Sequence, residues 1–317
     1  MSPFKVLVAP ALASLARTRR SQRPTLRVAA VQTSWHADAE DHRSVLASGI
    51  RIAAEQGARI VCLQELTLSP YFATRPDRLE EALGYTEVIP GGATTAFAQT
   101  EARASGIAVH ASLYERADRG LGYNTAICVG PDGALLARTR KMHIPCFPGY
   151  HEDRYFQPGD SGFPVVEVAG AKFAFPTCWD QWFPELARSY SLAGAEAIVY
   201  PTAIGSEPHL DGFDTQPLWE QMIRANGLAN ATFMIAVNRI GEEPPLRFYG
   251  SSFISDPYGR LLVQASRDED TVIIADLDLD QRRDWLEFGH VATRRPAEYT
   301  PLTQERSRNA IDAPTRA

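Results

Sequence analysis

The sequence predicts an α/β protein in which helices cover mixed β-sheets. From residue 26 onward, short apolar runs typical of strands alternate with segments of helical spacing, which is the pattern of parallel strands joined by helices. Two hairpin turn signals interrupt this alternation and add antiparallel strands. Because no linker or low-complexity block divides the chain, we predict one domain over residues 25–317.

The first half of this domain contains two predicted helices between apolar strands. The first helix ends at Gly57, since glycine is common just past a helix end. A second helix begins after Gly91 and Gly92 and ends at Gly106 in the same way. The predicted order is strand 26–32, helix 38–56, strand 58–63, helix 94–105 and strand 107–114.

Two turn sequences predict hairpins, P-D-G at residues 131–133 and D-P-Y-G at residues 256–259. They join strand 123–129 to strand 134–140 and strand 247–255 to strand 260–264. The remaining predicted elements are strand 172–177, helix 184–192, strand 197–200, helix 218–230, strand 233–238 and strand 272–277. Hairpins within a strand–helix series are typical of paired mixed sheets with the helices outside.

Composition excludes several classes of protein. The 317 residues carry 32 Lys and Arg against 38 Asp and Glu, a formal net charge of −6. With 44% hydrophobic and 22% charged residues, the chain is too apolar for intrinsic disorder. The acidic balance disfavours a nucleic-acid partner, and the absence of an 18-residue apolar run argues against a membrane span. The composition indicates a folded protein with a sizeable core but does not by itself indicate an enzyme, so a small-molecule substrate has to be inferred from sequence motifs.

The four cysteines, Cys62, Cys128, Cys146 and Cys178, form no Cys-x-x-Cys pair, which argues against a zinc ribbon or a dithiol redox centre. Four cysteines in a chain of this length are not a disulfide scaffold, so we predict reduced thiols and a cytoplasmic protein. Cys62 and Cys128 lie within apolar strands and are predicted to fill the core.

Residues 1–24 differ from the rest of the chain, because they contain several basic residues and no acidic one. Only Lys5 precedes the apolar stretch and the other basic residues follow it, which is not the order of a secretory signal. We predict a flexible N-terminal extension over residues 1–24, with a transit peptide as the alternative.

Three chemically reactive side chains follow predicted strands. Glu65 comes after strand 58–63, Lys141 after strand 134–140 and Cys178 after strand 172–177. Because ligands gather at the carboxyl ends of strands in α/β proteins, the three could meet there, with a thiol nucleophile, a base and a cation for an oxyanion. A nearby lysine and a helix N-terminus would lower the pKa of the cysteine. Position alone also allows a solvated carboxylate, a surface charge and a core cysteine.

The sequence around these residues resembles that of the nitrilase (carbon–nitrogen hydrolase) superfamily. Residues 62–66 read C-L-Q-E-L, residues 140–145 read R-K-M-H-I-P, and residues 178–185 read C-W-D-Q-W-F-P-E, in the family's order. Supporting matches continue to residue 296, so the resemblance covers about residues 26 to 300. Several ordered motifs over a whole domain are a specific signal.

The resemblance implies a four-layer αββα sandwich that assembles as a homodimer or a higher homo-oligomer. It also implies that Cys178 is the nucleophile, Glu65 the general base and Lys141 the oxyanion donor. The backbone N–H of Trp179 would be a second oxyanion donor, and Glu152 would hold Lys141. This chemistry requires neither a metal nor a cofactor. The domain over 25–317 would be a carbon–nitrogen hydrolase domain.

The segments after Cys178 most resemble the branch that hydrolyses N-carbamoylputrescine to putrescine, CO₂ and ammonia in polyamine synthesis. We therefore expect a ureido-group amidohydrolase, with Asn124, Tyr150, Asp180 and Glu207 as candidate substrate-binding residues. An amine-bearing substrate needs carboxylates, which Glu207, Asp211 and Asp214 could supply. A solvated acidic loop is the alternative for these three.

Two residues depart from the family's pattern, because Cys146 and Phe147 stand where a charged residue is common. They make an uncharged N-carbamoyl compound, an aliphatic amide or a nitrile alternative substrates. For an N-carbamoyl amino acid, Arg239 or Arg247 could bind the carboxylate. A remote alternative is an inactive interaction protein on the same scaffold.

Overall fold

The computed structural model of the chain describes residues 4–304. Its helices are α1 (Ala39–Glu55), α2 (Leu79–Leu83), α3 (Ala93–Ser105), α4 (Pro184–Leu192), α5 (Gln216–Asn230) and α6 (Asp280–Leu286). Its strands are β1 (Lys5–Ala9), β2 (Leu26–Gln32), β3 (Ile60–Cys62), β4 (Thr86–Glu87), β5 (Ala108–Glu115), β6 (Tyr123–Val129), β7 (Leu135–Arg140), β8 (Cys146–Phe147), β9 (Tyr150–His151), β10 (Val166–Val168), β11 (Ala171–Ala174), β12 (Ala197–Pro201), β13 (Phe233–Val237), β14 (Ile240–Glu243), β15 (Leu246–Tyr249), β16 (Phe253–Ser255), β17 (Leu261–Gln264) and β18 (Thr271–Leu277).

Most of these strands build two mixed sheets. The first has the order β1-β18-β2-β3-β5-β6-β7, with β4 also beside β5, and the second has the order β10-β11-β12-β13-β16-β17. Strands β2, β3 and β5 are parallel, as are β11, β12 and β13, whereas β6, β7, β16 and β17 pair antiparallel. The predicted mixture of crossovers and hairpins is confirmed.

The two sheets pack face to face and helices cover both outer faces. Successive residues of a strand point to opposite faces, so Val28 and Ala30 of β2 enter the core between the sheets while Ala29 and Val31 pack under α1 and α3. The second sheet repeats this arrangement under α4 and α5, whose Leu186 and Trp219 lie in a separate apolar cluster. The protein is therefore a four-layer αββα sandwich.

The central core contains the two cysteines that were expected there. Cys62 and Cys128 are fully buried between the sheets, and burial raises the pKa of each thiol. Their role as core residues is confirmed.

One predicted strand is divided in the structure. Residues 247–255 were expected to form one arm of a hairpin, but β15 pairs with β14 and only β16 pairs with β17. The break falls at Gly250 and Ser251, which both have positive φ (52° and 58°) and turn the chain out of the strand. This extra hairpin, β14–β15, supports the candidate site described below.

The N-terminal segment also differs from the expectation of a flexible extension. Residues 1–3 lie outside the described residues, but Lys5–Ala9 form β1, which pairs in parallel with β18 at the edge of the first sheet. Farther along, Arg17 pairs with Asp278 and Asp284, and the backbone N–H of Gln22 donates to Asp280 at 2.5 Å. The basic segment is held in place because Asp280 and Asp284 of α6, and Asp278 just before that helix, accept hydrogen bonds from it.

In the part of the chain that the structure describes, no helix is both long and apolar enough to cross a membrane.

Candidate active site

The candidate site lies where strands of both sheets end. Glu65 follows β3 and Lys141 follows β7 of the first sheet, while Cys178 follows β11 of the second. Ala203 follows β12 and Arg239 follows β13. Carboxyl ends of neighbouring strands meet at one edge, so residues far apart in sequence converge there.

Lys141 is held between two carboxylates. Its Nζ donates to Glu65 Oε1 at 2.9 Å and to Glu152 Oε1 and Oε2 at 2.8 and 2.7 Å. All three residues are buried, at 0% to 1% exposure. Buried charges are tolerated only when they are paired and hydrogen-bonded, and these three satisfy that condition.

The carboxylate of Glu65 accepts two further hydrogen bonds. Asn124 Nδ2 donates to Oε1 at 2.7 Å, and the backbone N–H of Ala203 donates to Oε2 at 2.9 Å. Asn124 was expected to bind substrate, and in the structure its side chain is fully buried and contacts Glu65. The sequence could not show this, because an amide serves equally well to bind a ligand or a neighbouring carboxylate.

Cys178 begins a short 3₁₀ helix, Cys178–Trp182, and has φ +40°. This left-handed conformation is strained for a residue with a side chain, and such strain is concentrated at functional sites. Thr177, just before the helix, has an extended conformation with φ −131°, so the chain turns sharply at the thiol.

The pKa of Cys178 is raised, contrary to the expectation from sequence. Burial is the largest cause, and the negative charge of Glu65 raises it further, while the positive charge of Lys141 acts in the opposite direction. The expectation considered only the cation and a helix N-terminus, and it omitted burial and two nearby carboxylates. Burial and the nearby carboxylates therefore favour the protonated thiol of Cys178 over the thiolate.

The pKa values of Lys141 and Glu152 also depend on a competition between burial and nearby charges. Burial alone would lower the pKa of Lys141, but the carboxylates of Glu152 and Glu65 outweigh it and raise that pKa. Burial raises the pKa of Glu152 to about 7, although Lys141 opposes this shift. Lys141 thus stays charged at neutral pH.

Asp180 was another expected substrate ligand, and the structure gives it a different place. Its carboxylate accepts from the backbone N–H of Thr177 at 3.1 Å and from the backbone N–H and Nδ1 of His143 at 2.9 and 2.8 Å. The His143 ring also stacks on Phe183, with 3.6 Å between centroids. Asp180 therefore ties the turn that carries Cys178 to the loop that carries Lys141.

A cavity of about 350 Å³ opens beside Cys178. Mostly apolar side chains surround Cys178 in it, and its polar groups include Glu152 and Glu207. The lining residues are Pro145, Phe147, Tyr150, Glu152, Cys178, Trp179, Trp182, Ile204, Glu207, His209, Leu210, Phe213, Thr215 and Leu218.

Two expected substrate-binding residues do line this cavity. Tyr150 contributes its ring, while its hydroxyl accepts from Gly205 N at 2.9 Å. Glu207 contributes a half-buried carboxylate, whose pKa burial raises. Asp211 and Asp214 instead line an adjoining surface groove.

The arginines considered as carboxylate ligands also lie elsewhere. Arg247 lines the adjoining groove. Arg239 is fully buried, and its guanidinium donates to backbone carbonyls.

Sequence reasoning missed Tyr71, whose hydroxyl donates to Glu152 Oε1 at 2.8 Å. It also missed the Ala203 backbone N–H that holds Glu65. A backbone donor leaves no trace in residue type. The only available signal was the position of Ala203 just after strand 197–200.

Comparisons with known proteins identify relatives over most of the chain. The sequence model of the carbon–nitrogen hydrolase family matches residues 27–287. N-carbamoylputrescine amidase of Solanum lycopersicum is 38% identical over 287 residues, which cover 87% of this chain and 94% of the relative. Citrullinase of Francisella tularensis is 35% identical over 287 residues, with 88% and 99% covered.

A solved carbon–nitrogen hydrolase from Helicobacter pylori G27 superimposes with a TM-score of 0.80 at 30% identity, and covers 89% of this chain and 100% of its own. The family match spans most of the chain, and the relatives are similar over nearly their whole length. The chain therefore belongs to the carbon–nitrogen hydrolase family, and is a hydrolase that acts on carbon–nitrogen bonds other than peptide bonds.

Proposed function

We propose that this hydrolase cleaves an N-carbamoyl (ureido) compound that ends in an amine, such as N-carbamoylputrescine, and releases ammonia. The observation that carries the proposal is the buried Glu65–Lys141–Glu152 cluster beside Cys178, in a cavity that also contains Glu207. The names of the two relatives support a ureido group, because N-carbamoylputrescine and citrulline both contain one.

In the first step, the Cys178 sulfur attacks the ureido carbon and Glu65 takes the thiol proton. The carbonyl oxygen becomes an oxyanion, which Lys141 Nζ and the backbone N–H of Trp179 stabilise. Negative charge leaves Glu65 as the proton arrives and appears on the oxyanion, so the ammonium of Lys141 keeps an opposite charge near it throughout. Glu152 holds Lys141 in place during this transfer.

In the second step, the tetrahedral intermediate collapses, the C–NH₂ bond breaks, and Glu65 gives its proton to the departing ammonia. An N-alkyl thiocarbamate on Cys178 remains. Glu65 then removes a proton from water, whose oxygen attacks the thiocarbamate carbon. The C–S bond breaks, and Glu65 returns its proton to the sulfur of Cys178, which regenerates the thiol. The released carbamate decomposes to CO₂ and the free amine, so one ureido compound and one water yield one amine, CO₂ and ammonia.

The lining of the cavity favours an amine at the far end of the substrate. Four methylenes suit the apolar surface of Phe147, Trp179 and Ile204, and an ammonium suits the carboxylate of Glu207. Within residues 4–304, neither lysine nor arginine lines this cavity, which disfavours the α-carboxylate of citrulline. Phe147, which had argued against a cationic substrate, contacts Tyr150 and Trp179 and so forms part of the apolar wall.

A parallel assay of ammonia release tests the proposal. The panel contains N-carbamoylputrescine, citrulline, N-carbamoyl-β-alanine, butylurea, butyramide and butyronitrile. We expect the highest kcat/KM for N-carbamoylputrescine, with butylurea next because it keeps the ureido group and loses only the ammonium. Turnover of the amide or the nitrile alone, or a lack of turnover with all six compounds, would reject the ureido assignment.

The variant Glu207→Gln is expected to raise KM for N-carbamoylputrescine about tenfold, the loss of one charge-assisted contact. Its KM for butylurea should not change, because that substrate has no ammonium. Steady-state kinetics with both substrates measure this difference. Asp211→Asn is the matched control, since Asp211 lies on the same loop but lines the adjoining groove. Equal KM increases for both substrates in Glu207→Gln would contradict an amine-binding role.

A further inference from the structure

Arg239 is a fully buried arginine two residues after the end of β13. Its Nη2 donates to three backbone carbonyls, those of Glu65 at 2.9 Å, Leu66 at 3.1 Å and Ser69 at 3.1 Å. Its Nη1 pairs with Glu243 Oε1 at 2.5 Å. The planar guanidinium is suited to this task, because it presents several donors in a fixed geometry.

The three carbonyls belong to one loop, residues 65–69, that carries the proposed base. Leu66, directly after Glu65, has φ +50°, a conformation that is unfavourable for a residue with a side chain. Arg239 donates to the carbonyls of the two peptide links that flank Leu66, those of Glu65 and of Leu66 itself. It therefore stabilises the strained turn that positions Glu65.

Glu243 extends the same support to the second carboxylate. Its Oε2 accepts from the backbone N–H of Tyr71 at 2.6 Å, and the Tyr71 hydroxyl donates to Glu152 Oε1 at 2.8 Å. Arg239 and Glu243 therefore hold, through one loop, the two carboxylates that flank Lys141.

The hairpin β14–β15, which bears Glu243, also contacts the segment that leads to Glu207. The backbone N–H of Ser206 donates to Arg247 O at 2.8 Å, and the backbone N–H of Arg247 donates to Ser206 Oγ at 3.0 Å. This hairpin therefore supports two segments. Glu243 on β14 holds the segment from Glu65 to Tyr71, and Arg247 on β15 holds the segment that leads to Glu207.

We propose that the Arg239–Glu243 pair is a positioning device that keeps Glu65 and Glu152 aligned with Lys141 and Cys178. The inference rests on the proposed function for the role of Glu65 as base. Neither Arg239 nor Glu243 lines the cavity, so both act through the loop rather than on the substrate.

The test compares Arg239→Lys and Arg239→Met with the native enzyme. Lysine keeps the charge beside Glu243 but lacks the planar guanidinium with its several donors, so kcat should fall on the order of 10-fold. Methionine also removes the charge, so kcat should fall about 10²-fold, the scale of a small misplacement of a catalytic group. KM should change little in both. The backbone N–H of Leu66 and that of Thr67 still donate to Ser112, so Arg239→Lys is expected to fold.

Arg282→Met is the matched control, because Arg282 also donates to several backbone carbonyls, those of Ser191, Asn230 and Ala231, but at the junction of α4, α5 and α6. A merely structural role for Arg239 predicts that both methionine variants lower stability and leave kcat per folded site unchanged. Native kcat in both Arg239 variants, or an equal kcat loss in Arg282→Met, would overturn the proposal.

Alkylation of Cys178 separates this inference from the proposed function. Iodoacetamide reacts with the thiolate form of a cysteine, so the alkylation rate of Cys178 reports on proton removal by Glu65 and requires no ureido substrate. The rate is measured by the mass of the peptide that contains Cys178, in a Cys146→Ala background. We expect slow alkylation at pH 7 in Glu65→Gln, a similar decrease in Arg239→Lys, and the native rate in Arg282→Met.

Alkylation at the native rate in both Arg239 variants would reject the positioning role even if ureido turnover is found. Absence of ureido turnover in the native enzyme, together with slowed alkylation in the Arg239 variants, would reject the substrate and keep the positioning role.

Discussion

Replacing Cys178 with alanine is expected to abolish ammonia release from N-carbamoylputrescine and to leave the fold intact. The variant has no atom that can form the covalent intermediate, so the decrease should reach about 10⁴-fold or more, the scale seen when a nucleophile is removed. The side chain is small and lines a cavity, so its truncation should disturb the packing of the sandwich little. Turnover is measured by ammonia release, and the fold by far-UV circular dichroism and thermal unfolding.

Cys128→Ala is the matched control for this variant. Cys128 is equally buried and its thiol pKa is also raised by burial, to about 12, but it lies in the core between the sheets. We expect it to keep its activity. Retained hydrolysis in Cys178→Ala would show that another group attacks the substrate, and the mechanism would have to be abandoned.

Replacing Lys141 with methionine is expected to reduce both activity and stability. Loss of an oxyanion donor should lower kcat about 10²–10³-fold. The change also leaves Glu65 and Glu152 buried beside each other without their cation. Breaking a buried ion pair in this way should lower the free energy of unfolding by about 3–5 kcal/mol at neutral pH. Urea unfolding at several pH values measures this loss.

The stability loss in Lys141→Met should become smaller as the pH falls. Burial already raises the pKa of Glu152 to about 7, and removal of Lys141, which opposes that shift, should raise it further. A carboxyl group whose pKa is higher in the folded state binds more protons when folded, so its folded state gains stability as the pH decreases toward the unfolded pKa. The difference from the native enzyme should therefore be smaller at pH 5 than at pH 7.5.

Lys172→Met is the control for this experiment, because Lys172 is exposed on β11. We expect native activity and a nearly native free energy of unfolding. A pH-independent stability loss in Lys141→Met would mean that the two carboxylates do not carry the destabilising charge.

Much of the architecture could be predicted from local patterns. The apolar run of β2 and the glycines after α1 and α3 are local features of the sequence, and their conformations follow from backbone geometry. The missed strand β1 is different, since its partner β18 lies more than 260 residues away. The hairpin β14–β15 was missed because Gly250 and Ser251 interrupt what reads as one strand.

The functional site divides in the same manner. Glu65, Lys141 and Cys178 could be identified from their residue types, their places after strands and the motifs around them. The contacts of Asn124 and Asp180 could not, because an amide or a carboxylate looks the same in sequence whether it faces a ligand, a neighbouring carboxylate or a backbone N–H.

The sequence by itself determined the alternation of elements, the mixed-sheet class and the three reactive residues, because these depend on local spacing and on side-chain chemistry. Only the tertiary structure decided that the thiol pKa of Cys178 is raised, that Glu207 lines the cavity and that Arg239 donates to the backbone of the loop that carries Glu65. Burial, charge and hydrogen bonding at a site are sums over groups from many segments, and folding alone brings those groups together.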